Sequence, residues 1–445
     1  MFLKYIKLTN FKGFDDFYMS FENEDGSPRR MTMLLGENGT GKTNLLKAIA
    51  LITAGSDADT FLELIGNPGD WVKEGCESCT IEFAYNTKIF FEIRYNHKTK
   101  PFIPTEPLIL EFHKTDGKSD FLTKNKSYFS TMNFYHYQSE QKYFSAAYGT
   151  SRKFNFFNEL ASFYDKEANI TNLGNIFNAK YTLYPLTYWL MNLDYSNDKD
   201  IFQFVTQKID ELLRNITFKG IDKAQKQLLF TENGKTLPLT ALSEGYQHIM
   251  AFMGDMLYKW FSTYNYWRID KPRYAKLNTV WNESDNFGLI LIDEIDLHLH
   301  PEWQREFVAF LREKMPPSFQ IIMTTHSPIA AQQSENGELF TLKKEDGKIN
   351  LYPFAGTPYK LLVDELLMSS AFGLKTDESL KVEKWKDEYR MLKANFQRNE
   401  AEEKRFSELK IELQMLPEPQ GSAYFSEEHY LLLQKIEKEL ESKKL

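Results

Sequence analysis

The sequence predicts an α/β fold, and two features of the chain support this prediction. The first is the glycine-rich stretch 36–43, GENGTGKT, which lies between the short apolar run 31–35 and a segment with apolar residues at helical spacing. The second is a pair of continuous apolar runs, 289–292 and 319–324, separated by the helical pattern 303–314. Strand–loop–helix and strand–helix–strand units build a parallel sheet with ligands at the carboxyl ends of its strands.

Length and composition limit the class of protein. The chain has 445 residues, which corresponds to roughly two or three domains. Its 42% hydrophobic and 26% charged residues are ordinary for a soluble globular protein. A net charge of −8 argues against a surface coated in positive charge for nucleic acid, although a local basic groove remains possible. Because no apolar run is long enough to span a membrane, we expect a cytoplasmic protein without a membrane partner.

The segments before and after the glycine-rich loop predict three further structural regions. Residues 1–35 show strands and turns, while 80–95 and 107–113 alternate apolar and polar residues, as antiparallel strands of an edge sheet do. Residues 131–149 return to a buried strand. Residues 155–230 are predicted to be mostly helical, within a helical lobe inserted at about 155–260.

The chain changes character near its carboxyl end. Residues 376–414 are dense in Glu and Lys, with apolar side chains spaced three and four apart, and Pro417 and Pro419 interrupt the pattern. Ser426 could cap a last helix. We therefore expect one domain over 1–375 and a helical, partner-binding appendage over 376–445.

The glycine-rich loop has the spacing GxxxxGK[ST] of a phosphate-binding loop. Its glycines let backbone N–H groups close around phosphate oxygens, and the following helix directs the positive end of its dipole at them. Lys42 is expected to reach the β- and γ-phosphates, and Thr43 to ligate Mg²⁺. The expected nucleotide contacts of this segment are Gly36, Glu37, Asn38, Gly39, Thr40, Gly41, Lys42, Thr43 and Asn44.

Acidic and basic side chains follow the two buried strands. Asp293 ends the run 289–292 and is placed to join the Mg²⁺ shell, while Glu294 next to it is our candidate for the general base that polarises the attacking water. His326 follows the run 319–324, where it can hydrogen-bond the γ-phosphate or the lytic water. ATP and Mg²⁺ are the cofactors that this set implies.

A second phosphate-binding element is expected at the segment LSEGY, residues 242–246. Ser243 stands where a helix N-cap would, Glu244 follows it, and Gly245 permits close approach of the backbone. Its place in the chain suggests that it cannot reach its own nucleotide. Two subunits arranged head to tail, each giving this segment to its partner's γ-phosphate, are therefore expected, and higher oligomers are not excluded.

Three further patterns leave alternatives open. His298 and His300 in DLHLHP suggest a metal by spacing, but without further ligands a role at the dimer seam or in nucleotide positioning is favoured. Cys76 and Cys79 supply half a zinc site, yet structural or incidental thiols are favoured. Basic and aromatic residues interleave over 264–276, which suits nucleic acid, although a solvated insertion is the simpler interpretation.

Taken together and in this order, GENGTGKT, LSEGY, LILIDEID, DLHLHP and TTHSP resemble the motifs of the ATP-binding-cassette (ABC) ATPases. The opening stretch IKLTNFKGF, residues 6–14, is similar to the first strands of the soluble branch that includes overcoming-lysogenization-defect proteins and recombination ATPases. The resemblance covers about residues 1–345. The glutamine that usually senses the γ-phosphate is not evident, with Gln138 and Gln141 as candidates, and Glu244 stands where a second glycine is common in transporters.

Within that branch the segments 147–152 and 363–373, with LSEGY, look like PtuA, the ATPase family of the Septu and retron antiphage systems. This resemblance implies an ATPase that assembles with a PtuB-like HNH nuclease and contacts DNA through that complex. Nothing after residue 375 resembles a nuclease domain, so a partner is expected to cut. The alternatives are a stand-alone DNA-binding repair or chromosome-maintenance clamp and, less favoured, a transport cassette.

Overall fold

The computed structural model describes residues 2–54, 58–86, 91–95, 98–102, 107–133, 143–152, 168–196, 198–213, 215–266, 281 and 287–416. The chain divides into two compact units, Met1–Leu374 and Lys375–Leu445. Each unit is described by itself.

The strands run in chain order from the amino terminus to residue 353. They are β1 Phe2–Phe11, β2 Phe14–Ser20, β3 Met31–Gly36, β4 Ser78–Asn86, β5 Phe91–Tyr95, β6 Lys98–Phe102, β7 Leu108–His113, β8 Tyr143–Tyr148, β9 Ile216–Asp222, β10 Gln227–Glu232, β11 Lys235–Pro238, β12 Phe287–Ile292, β13 Phe319–Thr324, β14 Leu339–Glu345 and β15 Lys348–Pro353.

The helices are distributed over both units. They are α1 Lys42–Thr53, α2 Ala58–Ile65, α3 Lys118–Lys124, α4 Lys126–Asn133, α5 Ala168–Phe177, α6 Leu186–Ser196, α7 Lys199–Leu212, α8 Glu244–Tyr266, α9 Pro301–Lys314, α10 Pro328–Gln332, α11 Val363–Met368, α12 Leu380–Ala394 and α13 Glu400–Gln414.

A six-stranded sheet forms the centre of the first unit, in the order β15-β14-β3-β13-β12-β8. All of its pairings are parallel except that of β14 with β15. The apolar residues of β3 alternate between two cores: Met31, Met33 and Leu35 face one, whereas Leu34 faces the other. Because both faces are covered, the central strands are mostly apolar, which explains the runs in the sequence.

A second, antiparallel sheet in the order β2-β1-β4-β7 packs beside the central one. The core between them contains α1 together with residues of both sheets, among them Ile6, Ile81 and Leu289. The opposite face of the central sheet is covered by α6, α7, α8 and α9, through side chains such as Leu190, Phe204, Met253 and Phe307. This arrangement places α1 and the loop before it at the carboxyl ends of the parallel strands.

The predicted α/β class, with an antiparallel sheet beside the main sheet and an inserted group of helices, is confirmed. Two details of the prediction are wrong. Residues 216–230, the end of the range expected to be mostly helical, instead belong to the antiparallel sheet β11-β10-β9. Its buried Leu228 and Phe230 alternate with more exposed neighbours. The strand expected over 131–149 starts only at Tyr143, and α4 occupies the first part of that range.

In the second unit, the charge-rich helices α12 and α13 pack against each other. Ser379 caps α12 by accepting a hydrogen bond from the N–H of Val382, and Asn399 forms a capping box with Glu402 at the start of α13. The rings of Tyr389 and Phe406 stack with centroids 4.8 Å apart. The division into an ATPase domain and a partner-binding appendage stays a prediction.

Among the helices that the structure describes, none combines the length and the apolar composition needed to cross a bilayer.

The two sheets are joined by a buried side-chain amide. Gln320 of β13 is fully buried, accepts a hydrogen bond from the N–H of Leu3 at 2.8 Å, and donates to the carbonyls of Leu3 and Arg29 at 3.2 Å each. Gln320→Leu keeps the volume but leaves these backbone groups unpaired, at a cost of about 1–3 kcal/mol for each buried group. We expect a clearly lower denaturant midpoint.

The matched control is Gln207→Leu, because Gln207 is exposed and donates to Glu211 on the surface of α7. Exposed substitutions of this kind change the free energy of unfolding by about 0.5 kcal/mol or less. Equal midpoints for the two variants would contradict the role given to Gln320.

Candidate nucleotide-binding site

The phosphate-binding loop connects the carboxyl end of β3 to the start of α1. Gly36 has φ +153°, and a Cβ at this position would lie 2.6 Å from both the carbonyl oxygen of Leu342 and Oγ1 of Thr40. Gly41 has φ +91°, and its Cβ would lie 2.8 Å from the ring of Phe14. Both glycines are therefore required by backbone conformation and by space.

The start of α1 has the features of an anion site. Its N-cap is Gly41, which has no side chain to cap the first-turn N–H groups, and no acidic residue lies in the first turn. The buried ammonium of Lys42 donates to the carbonyls of Gly36 and Glu37 at 2.6 and 3.0 Å, inside the loop. Burial lowers the pKa of Lys42, while the nearby Asp293 and Glu294 carboxylates act in the opposite direction.

Asp293 lies at the centre of the site. Its buried carboxylate accepts one hydrogen bond from the hydroxyl of Thr43 at 2.7 Å and another from the hydroxyl of Thr324 at 2.7 Å. Asp293 follows β12, Thr43 lies in the first turn of α1, and Thr324 ends β13. A hydroxyl and a carboxylate side by side are the oxygen donors that Mg²⁺ takes beside a nucleotide, so these residues fit that ion.

Glu294 has an unusual backbone conformation. Its φ is +49°, in the left-handed region, and its N–H donates to the hydroxyl of Thr324 at 2.7 Å. The guanidinium of Arg152 donates to the carbonyls of Asp293 and Glu294 at 2.8 and 2.7 Å. The Glu294 side chain is partly exposed beside the carboxyl ends of the strands.

His326 lies close to the loop and exposes its ring. The backbone N–H of His326 donates to the carboxylate of Asp296 at 3.3 Å. The hydroxyl of the preceding Thr325 donates to the same carboxylate oxygen at 2.5 Å. His326, Gly36, Glu37 and Thr40 line one cavity of about 400 Å³, together with the end of β14 and residues 371–373. The structure thus brings His326 and the loop to a common space.

The segment 242–246 is divided between surface and core. Ser243 and Glu244 are exposed at the start of α8, whereas Gly245 is buried. A Cβ on Gly245 would lie 3.0 Å from the indole ring of Trp303 on α9. The glycine is therefore needed for packing in its own chain, a reason that the sequence pattern did not indicate.

The histidines and cysteines are not assembled into a metal cluster. Over the residues that the structure describes, no group of three or more His, Cys, Asp or Glu side chains is placed to hold an ion. His298 and His300 are exposed, and the ring of His298 lies 5.0 Å from that of His248 on α8. Cys79 is buried, which raises the pKa of its thiol to about 12.

Sequence reasoning missed three residues that organise the site. Thr324 was counted as part of an apolar strand, Asp296 was given no partner, and Arg152 was noted only as a mark of resemblance. The threonine pair before His326 is the local signal that could have indicated Thr324. Gln138, Gln141 and residues 267–276 lie outside the described residues.

Two family models match this chain. The model described as "AAA domain, putative AbiEii toxin, Type IV TA system" matches residues 127–330, and the model described as "AAA ATPase domain" matches residues 1–184. The two matches together include the loop, the segment 242–246, Asp293, Glu294 and His326. Over these two ranges the chain is therefore similar to AAA-type ATPase domains.

Curated relatives extend this similarity. Septu protein PtuA from Bacillus mycoides (strain KBAB4) is 27% identical over 93% of this chain and 50% of its own length. The "Retron Ec83 probable ATPase" of Escherichia coli is 30% identical over 34% of this chain and 26% of its own length. This chain thus spans about half or less of these relatives' lengths. They confirm its resemblance to the ATPases of Septu and retron systems.

A solved SMC head, bound to the C-winged helix domain of ScpA, is 13% identical to this chain. It covers 80% of this chain and 98% of its own, with a TM-score of 0.45. Values this low support no inference about function.

Lys42 provides the most direct test of the site. Lys42→Met keeps the apolar stem but removes the ammonium from the loop, and we expect binding of ATP to be lost, because the positive charge opposite the phosphates is gone. Binding is measured by titration with a fluorescent ATP analogue.

The control is Lys208→Met, since Lys208 also has a largely covered side chain but pairs with Glu211 on α7. It should bind ATP as the wild type does. Undiminished binding by Lys42→Met would remove the central assignment.

Proposed function

We propose that this chain is the ATP-binding and ATP-hydrolysing regulatory subunit of an antiphage defence complex, dimerising head to tail over ATP and controlling an associated HNH-type nuclease that cleaves DNA. One observation carries the ATPase part of the proposal. The Asp293 carboxylate joins the hydroxyls of Thr43 and Thr324 directly beside the phosphate-binding loop. The similarity to PtuA over 93% of the chain supports the defence role.

The proposed chemistry assigns one role to each side chain. Lys42 and the N–H groups at the start of α1 bind the phosphates, while Thr43 and Asp293 hold Mg²⁺, which neutralises charge on the phosphates when bound. Glu294 accepts a proton from the attacking water, and His326 positions the γ-phosphate or that water. The loop residues Gly36–Thr43 and Asn44 surround the phosphates.

The far side of the nucleotide is assigned to a second copy of the chain. The exposure of Ser243 and Glu244 at the start of α8 supports this assignment, because an exposed hydroxyl at a helix N-terminus is free to meet a phosphate brought by a partner. Gly245 contributes indirectly, since its packing against Trp303 fixes the position of this helix start. Each dimer then contains two shared sites.

The nuclease is assigned to a partner protein. In the second unit, α12 and α13 are rich in Lys and Glu. Exposed apolar side chains lie on these helices (Leu380, Met391, Ile411), between them (Phe396) and directly after α13 (Met415). Such side chains suit contact with another protein. The PtuB-like identity of that partner and its cleavage of DNA rest on the family resemblance.

Glu294→Gln tests the general base. It removes the proton acceptor while keeping shape and polarity, so we expect ATP to bind and turnover to fall by at least about 10²-fold. A dimer that persists with ATP should follow, measured by size-exclusion chromatography with light scattering. Turnover at the wild-type rate would place the base elsewhere.

Mixing two variants tests the shared site. Ser243→Ala removes one donor to the phosphate and should lower turnover by about 10²-fold. In a heterodimer with Glu294→Gln, one site combines the intact loop and Glu294 of one chain with the intact Ser243 of the other. Turnover above the sum of the two variants is therefore expected. A rate equal to that sum would contradict the head-to-tail arrangement.

Co-expression with the protein encoded next to this chain tests the partner. We expect a stable complex that contains an HNH nuclease and cleaves DNA, with cleavage altered in the Glu294→Gln complex. The clamp alternative instead predicts ATP-dependent DNA binding by the isolated chain, weakening steeply with added salt. Phage protection by this chain alone would exclude the regulatory role.

A further inference from the structure

Arg152 makes two contacts that sequence reasoning did not assign. It lies four residues after the end of β8, and its two terminal nitrogens donate to the backbone carbonyls of Asp293 and Glu294 at 2.8 and 2.7 Å. The planar guanidinium is suited to two acceptors held side by side, because its donors form a rigid fork. It therefore contacts the backbone of both residues that carry the proposed chemistry.

The turn that Arg152 contacts is strained and short. Glu294 and His298 both have positive φ, +49° and +63°, although neither is glycine. Side chains disfavour this region, and such conformations persist only where surrounding contacts fix them. At Glu294 there are two such contacts. Its carbonyl accepts a hydrogen bond from Arg152, and its backbone N–H donates to the hydroxyl of Thr324.

The backbone that precedes Arg152 is also held in place. The carbonyl of Tyr148 accepts a hydrogen bond from the N–H of Asp293 at 2.8 Å, and the N–H of Gly149 donates to Asn175 at 2.7 Å. A Cβ on Gly149 would lie 2.7 Å from the carbonyl oxygen of Asn175. The chain before Arg152 is thus held on both sides, so the guanidinium reaches the turn from a rigid base.

The charge of Arg152 is retained at neutral pH. Burial lowers its pKa to about 10, and the nearby Asp293, Asp296 and Glu294 carboxylates oppose this decrease. The buried cation therefore lies among the acidic groups of the site and donates to the carbonyls of Asp293 and Glu294 in its charged form.

Arg152 also lies beside the start of α8. It lines a small apolar cavity with His248, Ile295 and Leu297, and the ring of His248 lies 5.0 Å from that of His298. His248 is one helical turn after Glu244, whose carbonyl it contacts at 2.9 Å. The strained turn is therefore packed between Arg152 and the helix whose exposed start carries Ser243.

We propose that Arg152 is a positioning residue for ATP hydrolysis: it holds the turn 293–299 so that the carboxylate of Glu294 stays in place for the attacking water. This proposal rests on the proposed function of Glu294 as general base. Because Arg152 acts through the backbone, it is expected to affect turnover and not the binding of ATP.

The test uses Arg152→Ala and Arg152→Lys in the full chain. Misplacing a reacting group by about 1 Å costs about 10²-fold in rate, so we expect a decrease of this order in kcat for Arg152→Ala, with KM and ATP affinity unchanged. Arg152→Lys keeps the charge but loses the fork, and should recover part of the rate. An unchanged kcat in Arg152→Ala, or an equal loss in ATP affinity, would overturn the proposal.

A matched control separates positioning from general stabilisation. Arg30 also donates to backbone carbonyls, those of Arg312 and Met315 at 2.7 Å each and that of Pro316 at 3.4 Å, but it lies immediately before β3, at the opposite end of this strand from the phosphate-binding loop. Arg30→Lys should lower stability as Arg152→Lys does and leave kcat unchanged. Equal losses of kcat in the two variants would mean that Arg152 has a structural role alone.

Two further measurements separate this proposal from the proposed function. If Arg152 acts through Glu294, the double variant Arg152→Ala/Glu294→Gln turns over at the rate of Glu294→Gln alone. Hydrogen exchange of 294–299 in Arg152→Lys, without nucleotide, should be faster than in Arg30→Lys. Equal exchange in the two variants would contradict the proposal that Arg152 holds the turn. Wild-type turnover by Glu294→Gln would contradict only the assignment of Glu294 as general base.

Discussion

The buried carboxylate of Asp293 is the interaction on which the site depends. It joins Thr43, in the first turn of α1, to Thr324, at the end of β13, while Asp293 itself ends β12. Three elements distant in sequence therefore meet at one side chain. Burying a carboxylate without hydrogen-bond partners costs several kcal/mol. The two threonine hydroxyls therefore make the burial of Asp293 possible, and Asp293 in turn holds the two hydroxyls in place. A divalent cation would bind these same oxygens. The Asp293 carboxylate therefore serves both the stability of the fold and the proposed chemistry.

The parallel sheet makes this meeting possible. Strands β3, β13 and β12 are neighbours, and parallel pairing brings all of their carboxyl ends to one edge. Their mostly apolar side chains are buried on both faces, and the polar side chains of the site lie at the strand ends. Loop, acidic pair and histidine are consequently placed together by topology, although more than 280 residues separate the loop from His326. Gln320 ties this sheet to the antiparallel one from within the core.

How much of this could be predicted from sequence depended on the range of the signal. The loop, Asp293 and the strand runs were predictable because each is a local pattern with a known backbone geometry. Arg152 and Thr324 were not, since their partners lie 141 and 30 residues away or more and no spacing rule connects them. The sheet β9–β11 was missed because its short strands alternate weakly and lie between helices. Gly245 was interpreted through phosphate chemistry, whereas the Trp303 ring also requires it.

The strained turn after Asp293 lies between the proposed general base and the helix that begins after Ser243. A positive φ at a residue other than glycine, such as Glu294, costs free energy. The hydrogen bonds of Glu294 with Arg152 and Thr324 help to offset this cost. The turn is also packed against His248, one helical turn from the exposed start of α8. In the proposed dimer, a partner that engages Ser243 would therefore press on the turn that carries the proposed general base, Glu294. If hydrolysis depends on the second subunit as proposed, this turn is the physical link between the two within a single chain.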